Sequence, residues 1–254
     1  MGISRLFLSC TALLWLVTAP EAAFERPAFP SAPLDAAFRP TVNPATLGDL
    51  RGLCGGIRHD RPFGLPALSG HGLLLAAPLS RRLALGLGAA RRGPDQHREY
   101  VAWMGLGVRL AAPLSVGLAA RRLAWRNATG NGRTAISLSV GGRLTLAGSW
   151  ALTGAVQQDT DISPGRASLR LVRGDATGAV AADLSARRGR RALPAATMVT
   201  RLDKRLTLSG QVRSLADAIG AGATLHGALD LHVRVDGHPV LGRSWTSWLG
   251  RPCR

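Results

Sequence analysis

The chain has 254 residues and a formal net charge of +17 at pH 7, which comes almost wholly from arginine because Lys204 is the only lysine. Hydrophobic residues make up 46% of the chain but aromatic residues only 5%, a thin supply for the core of a soluble β-sandwich. The positive charge attracts phosphate-bearing partners, which means nucleic acid or an anionic lipid surface.

The N-terminus carries the pattern of a secretory signal peptide. A short basic stretch, MGISR, precedes the apolar run LFLSCTALLWLV at 6–17, and the small residues of TAPEAA follow. The apolar run is too short for a membrane-spanning helix, and no later stretch is long and apolar enough for one. We therefore predict that residues 1–23 are a signal peptide, that the mature protein is exported, and that nucleic acid is not its partner.

The segment 24–53 that follows is rich in proline and shows neither a strand period nor a helix period. Two interpretations are open at this point. The segment is either a plug or hatch associated with the inside of the following domain, or a plain exported linker.

From about residue 54 onward, apolar residues recur with a period of two, which is typical of β-strands. The clearest stretch is TLHGALDLHVRVD at 224–236, where hydrophobic residues and glycine hold the odd positions and most even positions are polar or charged. The stretches 206–213 and 144–157 show the same alternation. We therefore predict strands with one apolar face and one polar face.

The connections between these strands alternate in length. The short connections are predicted at 78–82, 113–115, 141–143, 174–175 and 202–205, and the longer polar ones at 91–99, 126–132, 159–165, 187–195 and 215–222. Short turns on one side and longer loops on the other are typical of outer-membrane β-barrels. The related phrases RLALGLG at 82–88, RLTLAG at 143–148 and RLTLSG at 205–210 are each predicted to begin a strand that returns from a short turn.

The fold class predicted from this pattern is all-β, an antiparallel transmembrane β-barrel that forms one domain over 54–254. Strands are predicted near 54–63, 68–77, 83–91, 100–111, 116–126, 133–140, 144–157, 166–173, 176–186, 195–202, 206–214, 222–235 and 242–250. These are 13 strands, and because bacterial barrels have an even number we expect 12 or 14. A secreted β-sandwich is the alternative, since its strands alternate too.

If the apolar positions face lipid, the polar positions line the lumen. The candidate lumen-lining residues are His226, Asp230, His232 and Arg234 on one predicted strand, and Gln211 and Arg213 on its neighbour. Two histidines and an aspartate are compatible with a metal site or part of a hydrolase site, but we favour a solvated polar lumen held by ion pairs. The sequence contains no G-x-S-x-G, C-x-x-C or H-E-x-x-H motif, so we predict no enzyme activity, metal or cofactor.

The predicted loops are rich in arginine, at Arg91, Arg92, Arg98, Arg126, Arg187, Arg188, Arg190 and Arg191. At the outer rim of a barrel, guanidinium groups can make bidentate contacts with lipid phosphates. The alternative is a set of solvated charged loops.

Two cysteines remain after the predicted signal peptide, and they flank the barrel. Cys54 begins the first predicted strand and Cys253 follows the last one. In a closed barrel these strands are antiparallel neighbours, so we predict a disulfide across the seam in an oxidising compartment. Two unrelated free cysteines are the alternative.

The stretch TVNPATLGDL at 41–50 resembles the N-terminal region of FadL-like and PorV/PorQ-like outer-membrane proteins. The residues that carry the resemblance are Asn43, Pro44 and Ala45, followed by Thr46 and Leu47. The stretch 63–88 looks like the first hairpin of that family, and HPVLGRSW at 238–245 looks like its last turn. The resemblance implies an N-terminal segment that tucks into or under the lumen. It also implies either uptake of hydrophobic compounds or service in secretion and surface attachment.

We therefore expect an outer-membrane barrel for the passage of small hydrophobic or anionic solutes. One alternative is a scaffold that serves a secretion-system partner, and a second is a lumenal hydrolase with a serine beside His226 or His232. The expected partners are outer-membrane lipids, through anionic headgroups at the loop arginines, and either a small solute or a secretion-system protein.

Overall fold

A computed structural model describes residues 39–94, 97–127, 129–147, 149–158, 160, 165–175, 177–187, 192–213, 218–238 and 242–251. The predicted signal peptide and residues 24–38 of the N-terminal segment lie outside these ranges. A short helix, α1 (Arg39–Val42), and a 3-10 helix (Pro44–Asp49) precede the first strand. None of the helices in the described ranges has the length and apolar character needed to span a membrane.

The described chain forms a closed barrel of 14 strands in which every strand is antiparallel to its neighbours in sequence. The strands are β1 (Cys54–Arg61), β2 (Gly70–Pro78), β3 (Leu83–Arg92), β4 (His97–Ala111), β5 (Leu114–Asn127), β6 (Gly132–Thr145), β7 (Trp150–Gln157), β8 (Arg166–Gly174), β9 (Gly178–Arg187), β10 (Leu193–Arg201), β11 (Leu206–Arg213), β12 (Ala218–Leu225), β13 (Asp230–His238) and β14 (Gly242–Arg251). The predicted fold class is confirmed, with the larger of the two expected strand numbers.

Closure comes from pairing between the first strand and the last. Gly55 of β1 lies opposite Arg251 of β14, and Arg61 lies opposite Trp245. The ring therefore has no open edge with unpaired N–H and C=O groups, each of which would cost several kcal/mol in hydrocarbon. We call the end where β1 begins and β14 ends the terminal end, and the opposite end the loop end.

The two ends differ in the length of their connections. The six connections at the terminal end have two to four residues, whereas those at the loop end have three to eight. At the terminal end, Asp203 accepts hydrogen bonds from the backbone N–H groups of Arg205 and Leu206. These bonds hold the pKa of Asp203 below its usual range and fix the β10–β11 turn.

Two predicted strands were wrong, because each is a whole hairpin or part of one. The strand predicted at 222–235 is β12 and β13 with a turn at 226–229 between them. The strand predicted at 144–157 contains the end of β6, a turn at 146–149 and β7, so the short turn predicted at 141–143 lies inside β6.

The physical reason for both errors is the register of these hairpins. Leu225 pairs with Leu231, and Leu144 pairs with Leu152, so paired residues share the parity of their numbers. Antiparallel partners point to the same face of a sheet. Apolar residues therefore keep the same parity of residue number on both sides of the turn. The period of two alone cannot distinguish such a hairpin from one long strand.

The repeated phrase behaves differently at its three positions. Leu83 begins β3 and Leu206 begins β11, as predicted. Arg143, Leu144 and Thr145 instead end β6, so the prediction that RLTLAG begins a returning strand was wrong.

In the barrel wall, apolar side chains are exposed on the outer face and charged side chains are buried on the inner face, the reverse of a soluble protein. Outward-facing Ile136 and Ile219 are 65% and 70% exposed, whereas inward-facing Arg234 is 4% exposed. Further exposed apolar side chains lie on strands all round the barrel, among them Leu73, Leu87, Met104, Leu118, Leu138, Val156, Leu169, Val180, Met198, Leu208 and Leu249. The outside is an apolar surface and the inside is where glycine, small and charged residues meet.

Cys54 is buried and disulfide-bonded at the terminal end of the β1–β14 seam. Its neighbour Gly55 pairs with Arg251, the last described residue of β14. Cys253 lies outside the described residues, so its pairing with Cys54 stays a prediction.

A mutant cycle tests this pairing. If Cys54 and Cys253 form one disulfide, the variants Cys54→Ser, Cys253→Ser and the double variant should lose the same stability. The crosslink closes a loop of about 200 residues, for which chain entropy gives about 5 kcal/mol. The measurement is the denaturant midpoint of the refolded barrel, and a double variant that loses the sum of the two single losses would contradict the pairing.

Candidate functional site

The lumen is partly filled by the chain's own N-terminal residues. We call residues 39–50, which comprise α1, the 3-10 helix and Leu50, the inner segment. It packs mainly against the inner faces of β3, β4, β5 and β6. Its residues Ala45 and Leu47 are fully buried, which places the Asn43-Pro44-Ala45 word inside the barrel.

Asn43 fastens the inner segment to the wall. Its side-chain oxygen accepts a hydrogen bond from the N–H of Ala45 at 3.0 Å, which caps the 3-10 helix. Its Nδ2 donates to the carbonyl oxygens of Gly142 and Gly154, both at 3.1 Å, and these two residues are partners across β6 and β7. The position therefore requires a side chain that accepts and donates, which an aspartate cannot do when ionised.

Glycines on three adjacent strands make room for this segment. A Cβ added at Gly117 on β5 would overlap the backbone of Pro44, and one at Gly141 on β6 would overlap the Asn43 side chain. A Cβ at Gly107 on β4 would overlap Leu47. These three glycines form what we call the glycine floor. Because a glycine has no Cβ, the backbone of the inner segment can approach the wall closely.

Asp49 anchors the other end of the inner segment near the terminal end of the barrel. Its carboxylate accepts hydrogen bonds from Ser115 at 2.9 Å and from Arg109 at 3.3 Å, and it forms an ion pair with Arg143. These partners come from β5, β4 and β6, so one carboxylate connects three strands. It also neutralises part of the arginine charge that faces the lumen.

An apolar wall continues from the inner segment towards β2 and β1. Trp103 on β4 is 3% exposed, and its indole lies over Gly86 and Gly105, where an added Cβ would overlap the ring. The buried apolar cluster comprises Leu47, Leu50, Cys54, Leu74, Ala76, Ala84, Val101, Trp103, Ala119 and Trp248. The lumen therefore has a continuous apolar side that the inner segment helps to build.

Polar side chains that pair with one another line the lumen on β11 and β13 and towards the loop end of β1 and β3. Arg234 on β13 donates to Asp236 at 2.6 Å and to the Gln211 side chain. On β1 and β3, Arg58 and Arg92 both bind Asp60, at 3.3 Å and 2.8 Å. These three guanidinium groups thus have carboxylate partners within the wall, as buried charges require.

His232 lies between the polar and apolar regions. It is 2% exposed, its Nδ1 lies 2.8 Å from the Thr224 hydroxyl, and its ring stacks on Trp248 at 6.0 Å between centroids. The indole N–H groups of Trp103 and Trp248 are buried and have no hydrogen-bond partner among the described residues. Two unused donors beside an apolar wall favour a small lumenal molecule, or water, as their partner.

A chain of hydroxyl, imidazole and carboxylate lies at the terminal end. The Thr207 hydroxyl is 2.8 Å from Nε2 of His226, and Nδ1 of His226 is 3.0 Å from Asp230. Asp230 also accepts a weak hydrogen bond from the N–H of Gly227 at 3.4 Å. These contacts fasten the β12–β13 turn to β11.

The predicted lumen-lining residues divide into three groups. Asp230, His232 and Arg234 lie on β13 and, with Gln211 on β11, are buried in the wall. His226 lies in the turn before β13, not on the same strand as the others. Arg213 ends β11, and its side chain is outside the described residues.

The loop arginines also need a correction. Arg91 and Arg92 end β3, Arg98 and Arg126 belong to β4 and β5, and Arg187 ends β9. Arg92 was predicted at the outer rim, but it reaches inward to bind Asp60. Arg188, Arg190 and Arg191 lie outside the described residues.

Sequence reasoning missed Arg58, Asp60, Trp103 and the glycine floor. The signal for Arg58 and Asp60 was present, since both occupy even positions in CGGIRHDR, whose odd positions include Ile57. The glycine floor carries no comparable signal, because a glycine that faces a neighbour and one that faces open space look alike in sequence.

The chain matches no protein-family model and no curated protein. Among solved structures, it is similar to a Pseudomonas aeruginosa FadL homologue, with 10% identity, a TM-score of 0.62 and coverage of 94% of this chain and 99% of that one. It is also similar to the Pseudomonas putida toluene transporter TodX, with 11% identity, a TM-score of 0.61 and coverage of 83% and 90%. For the CymD monoaromatic hydrocarbon channel the identity is 11%, the TM-score 0.60 and the coverage 84% and 91%.

At such low identity these likenesses establish the barrel fold alone. The predicted resemblance to FadL-like proteins is confirmed at the level of the fold. The resemblance to PorV/PorQ-like proteins stays a prediction.

The glycine floor gives a matched test. Gly117→Ala places a methyl group where the Pro44 backbone lies, so we expect a loss of about 1–3 kcal/mol in stability and faster proteolysis near residues 39–50. The control is Gly142→Ala on β6, whose added Cβ meets nothing within 4 Å. Denaturant unfolding and limited proteolysis measure both, and equal behaviour of the two variants would contradict the packing role of Gly117.

Proposed function

We propose that this protein is an outer-membrane channel that lets small hydrophobic solutes pass beside the inner segment. The observation that carries the proposal is a closed barrel with an apolar outside, whose lumen contains a fastened inner segment next to an apolar wall. The barrel supplies the route through the membrane and the wall supplies affinity for an apolar molecule.

The outside of the barrel supports insertion in a bilayer. Strands of eight to 15 residues are long enough to cross a hydrocarbon core when tilted. Side chains such as Ile57 and Leu75 are 59% and 51% exposed, and on a protein in water they would promote aggregation. In lipid the same side chains are in their favoured solvent. The predicted signal peptide and the short turns at the terminal end support an orientation with both termini in the periplasm.

The charges in the lumen favour a hydrophobic solute over an anionic one. Three lumenal aspartates form ion pairs with arginines. The pairs are Asp60 with Arg58 and Arg92, Asp236 with Arg234, and Asp49 with Arg109 and Arg143. An anion would have to displace these carboxylates from their arginines. An apolar molecule can follow the wall around Trp103 without breaking an ion pair.

The solved structures of similar fold support the same class of solute. They include a toluene transporter and a monoaromatic hydrocarbon channel. A small aromatic hydrocarbon is therefore the first solute to test.

Uptake and conductance together test the proposal. Gram-negative cells that make the folded barrel should accumulate labelled toluene faster than cells with an empty vector, while the purified protein should show little ion conductance in a planar bilayer. Heat-modifiable migration on a gel establishes that the barrel is folded in both experiments. Large anion-biased steps would favour anionic solutes instead, and a silent barrel without uptake would favour a scaffold role.

Deletion of residues 24–48 is the companion variant. It removes residues 24–38 and most of the inner segment but keeps all 14 strands. We expect discrete conductance steps absent from the full-length protein, because the inner segment no longer fills the lumen beside β4–β6. A folded deletion variant with unchanged conductance would contradict this role of the inner segment.

The Thr207–His226–Asp230 chain favours a second candidate function, ester hydrolysis at the terminal end of the lumen. In this function His226 would accept the Thr207 proton as the hydroxyl attacks an ester carbonyl, and Asp230 would orient the imidazole. His226 would then give that proton to the alcohol that leaves as the ester bond breaks, and water would hydrolyse the acyl group from Thr207. A fluorophosphonate probe should then label the wild type but not Thr207→Val or His226→Ala. An unlabelled wild-type barrel would exclude this candidate and leave the three residues as the fastening of a turn.

A further inference from the structure

The outward face at the loop end of β1–β5 carries a cluster of cationic and titratable side chains. We call it the basic surface, and its members are His59, Arg61, His71, Arg91, Arg98, Arg122 and Arg126. Strand register brings them together although they span 68 positions in sequence, from 59 to 126. His59 pairs with His71, His71 pairs with Arg91, and Arg98 pairs with Arg126.

The alternation of the strands separates this surface from acidic residues. Asp60 and Glu99 are the acidic residues in the sequences of β1–β5, and each occupies a position of opposite parity to the basic residues beside it. Asp60 is buried in the lumen wall, and Glu99 pairs with inward-facing Arg92. The outward face therefore has no carboxylate from these strands to neutralise it.

Four of the five arginines of this surface differ from those of the lumen in their partners. Within the described ranges, Arg61, Arg91, Arg122 and Arg126 form no ion pair and no side-chain hydrogen bond, and all four are exposed. The lumenal arginines Arg58, Arg92 and Arg234 are bound to aspartates. Unpartnered guanidinium groups on a membrane-facing surface remain available for an external anion.

The basic surface lies next to the apolar outside of the barrel. Tyr100 pairs with Arg91, and Trp245 pairs with Arg61, which places an aromatic side chain beside each of these arginines. Tyrosine and tryptophan favour the level of the lipid headgroups. Two residues along β2, Leu73 is 45% exposed and begins the apolar surface, a step of about 7 Å from His71.

We propose that the basic surface binds a lipid whose headgroup carries phosphate groups and whose acyl chains lie on the apolar face below it. Five strands are about 19 Å wide at 4.8 Å per strand, which is enough for more than one phosphate. Guanidinium groups bind phosphate oxygens in pairs, while leucine and methionine side chains of β2–β4 contact the acyl chains. The proposal rests on the proposed function in one respect, since it requires that the loop end faces the outer leaflet.

The test is a titration of the folded, full-length mature barrel in zwitterionic micelles with diphosphoryl lipid A, followed by native mass spectrometry. The variant combines Arg61→Gln, Arg91→Gln and Arg126→Gln. The control combines Arg81→Gln, Arg205→Gln and Arg251→Gln, which removes the same charge from exposed positions at the terminal end. We expect binding to weaken about tenfold in the variant and to stay unchanged in the control.

Three further probes separate phosphate recognition from other causes of binding. Dephosphorylated lipid A should bind about as weakly to the wild type as diphosphoryl lipid A binds to the variant, and inorganic phosphate at the same concentration should not compete. Polyglutamate stands for an acidic protein partner and should bind the wild type and the control more weakly than the lipid does. Equal lipid affinity of variant and control, or stronger binding of polyglutamate, would overturn the proposal.

Toluene uptake by the same variants keeps this proposal distinct from the proposed function. Lost lipid binding with normal uptake is the result expected of the triple variant. A wild-type barrel that transports toluene but does not bind the lipid would overturn the lipid site alone, and one that binds the lipid without uptake would overturn the channel alone.

Discussion

The pairing of β1 with β14 is the constraint on which the rest of the structure depends. In hydrocarbon an unpaired backbone N–H or C=O group has no water to bind, so a sheet must close or remain outside the membrane. Once the ring is closed, every outward position faces lipid and every inward position faces the lumen. The residues in the wall then follow from that division, with leucine and isoleucine outside and glycine, alanine and paired charges inside.

Alternation in the sequence was enough to predict the closed barrel, because the period of two reports the two faces directly. It was not enough to count strands in β12 and β13, since Leu225 and Leu231 share parity and face the same way across their turn. The content of the candidate site was harder to predict. His232 and Arg234 follow from alternation, but the contacts of Arg92 with Asp60 and of Asn43 with Gly142 join residues that no local pattern connects.

The lumen and the outer surface use arginine in opposite ways. Inside, each described arginine that is deeply buried meets a carboxylate or a carbonyl group, as with Arg234 and Asp236 or Arg121 and the carbonyl of Thr41. Outside, at the loop end, Arg91 and Arg126 meet no carboxylate of the wall. The high net charge of the chain is therefore not a property of the lumen alone, and a large part of it is presented to the surroundings of the barrel.

The position of the inner segment in the chain has a consequence for folding. Its main contacts are with β3–β6, and Asn43 reaches as far as Gly154 on β7, so these partners belong to the first half of the barrel. None of these partners lies beyond Gly154 in the sequence, so residues 39–157 contain all of these contacts. The segment can therefore settle on a half-built, still curved sheet, and the strands from β8 onward can wrap round it afterwards. In that order of events the inner segment is enclosed as the ring closes, and it never has to thread into a finished barrel.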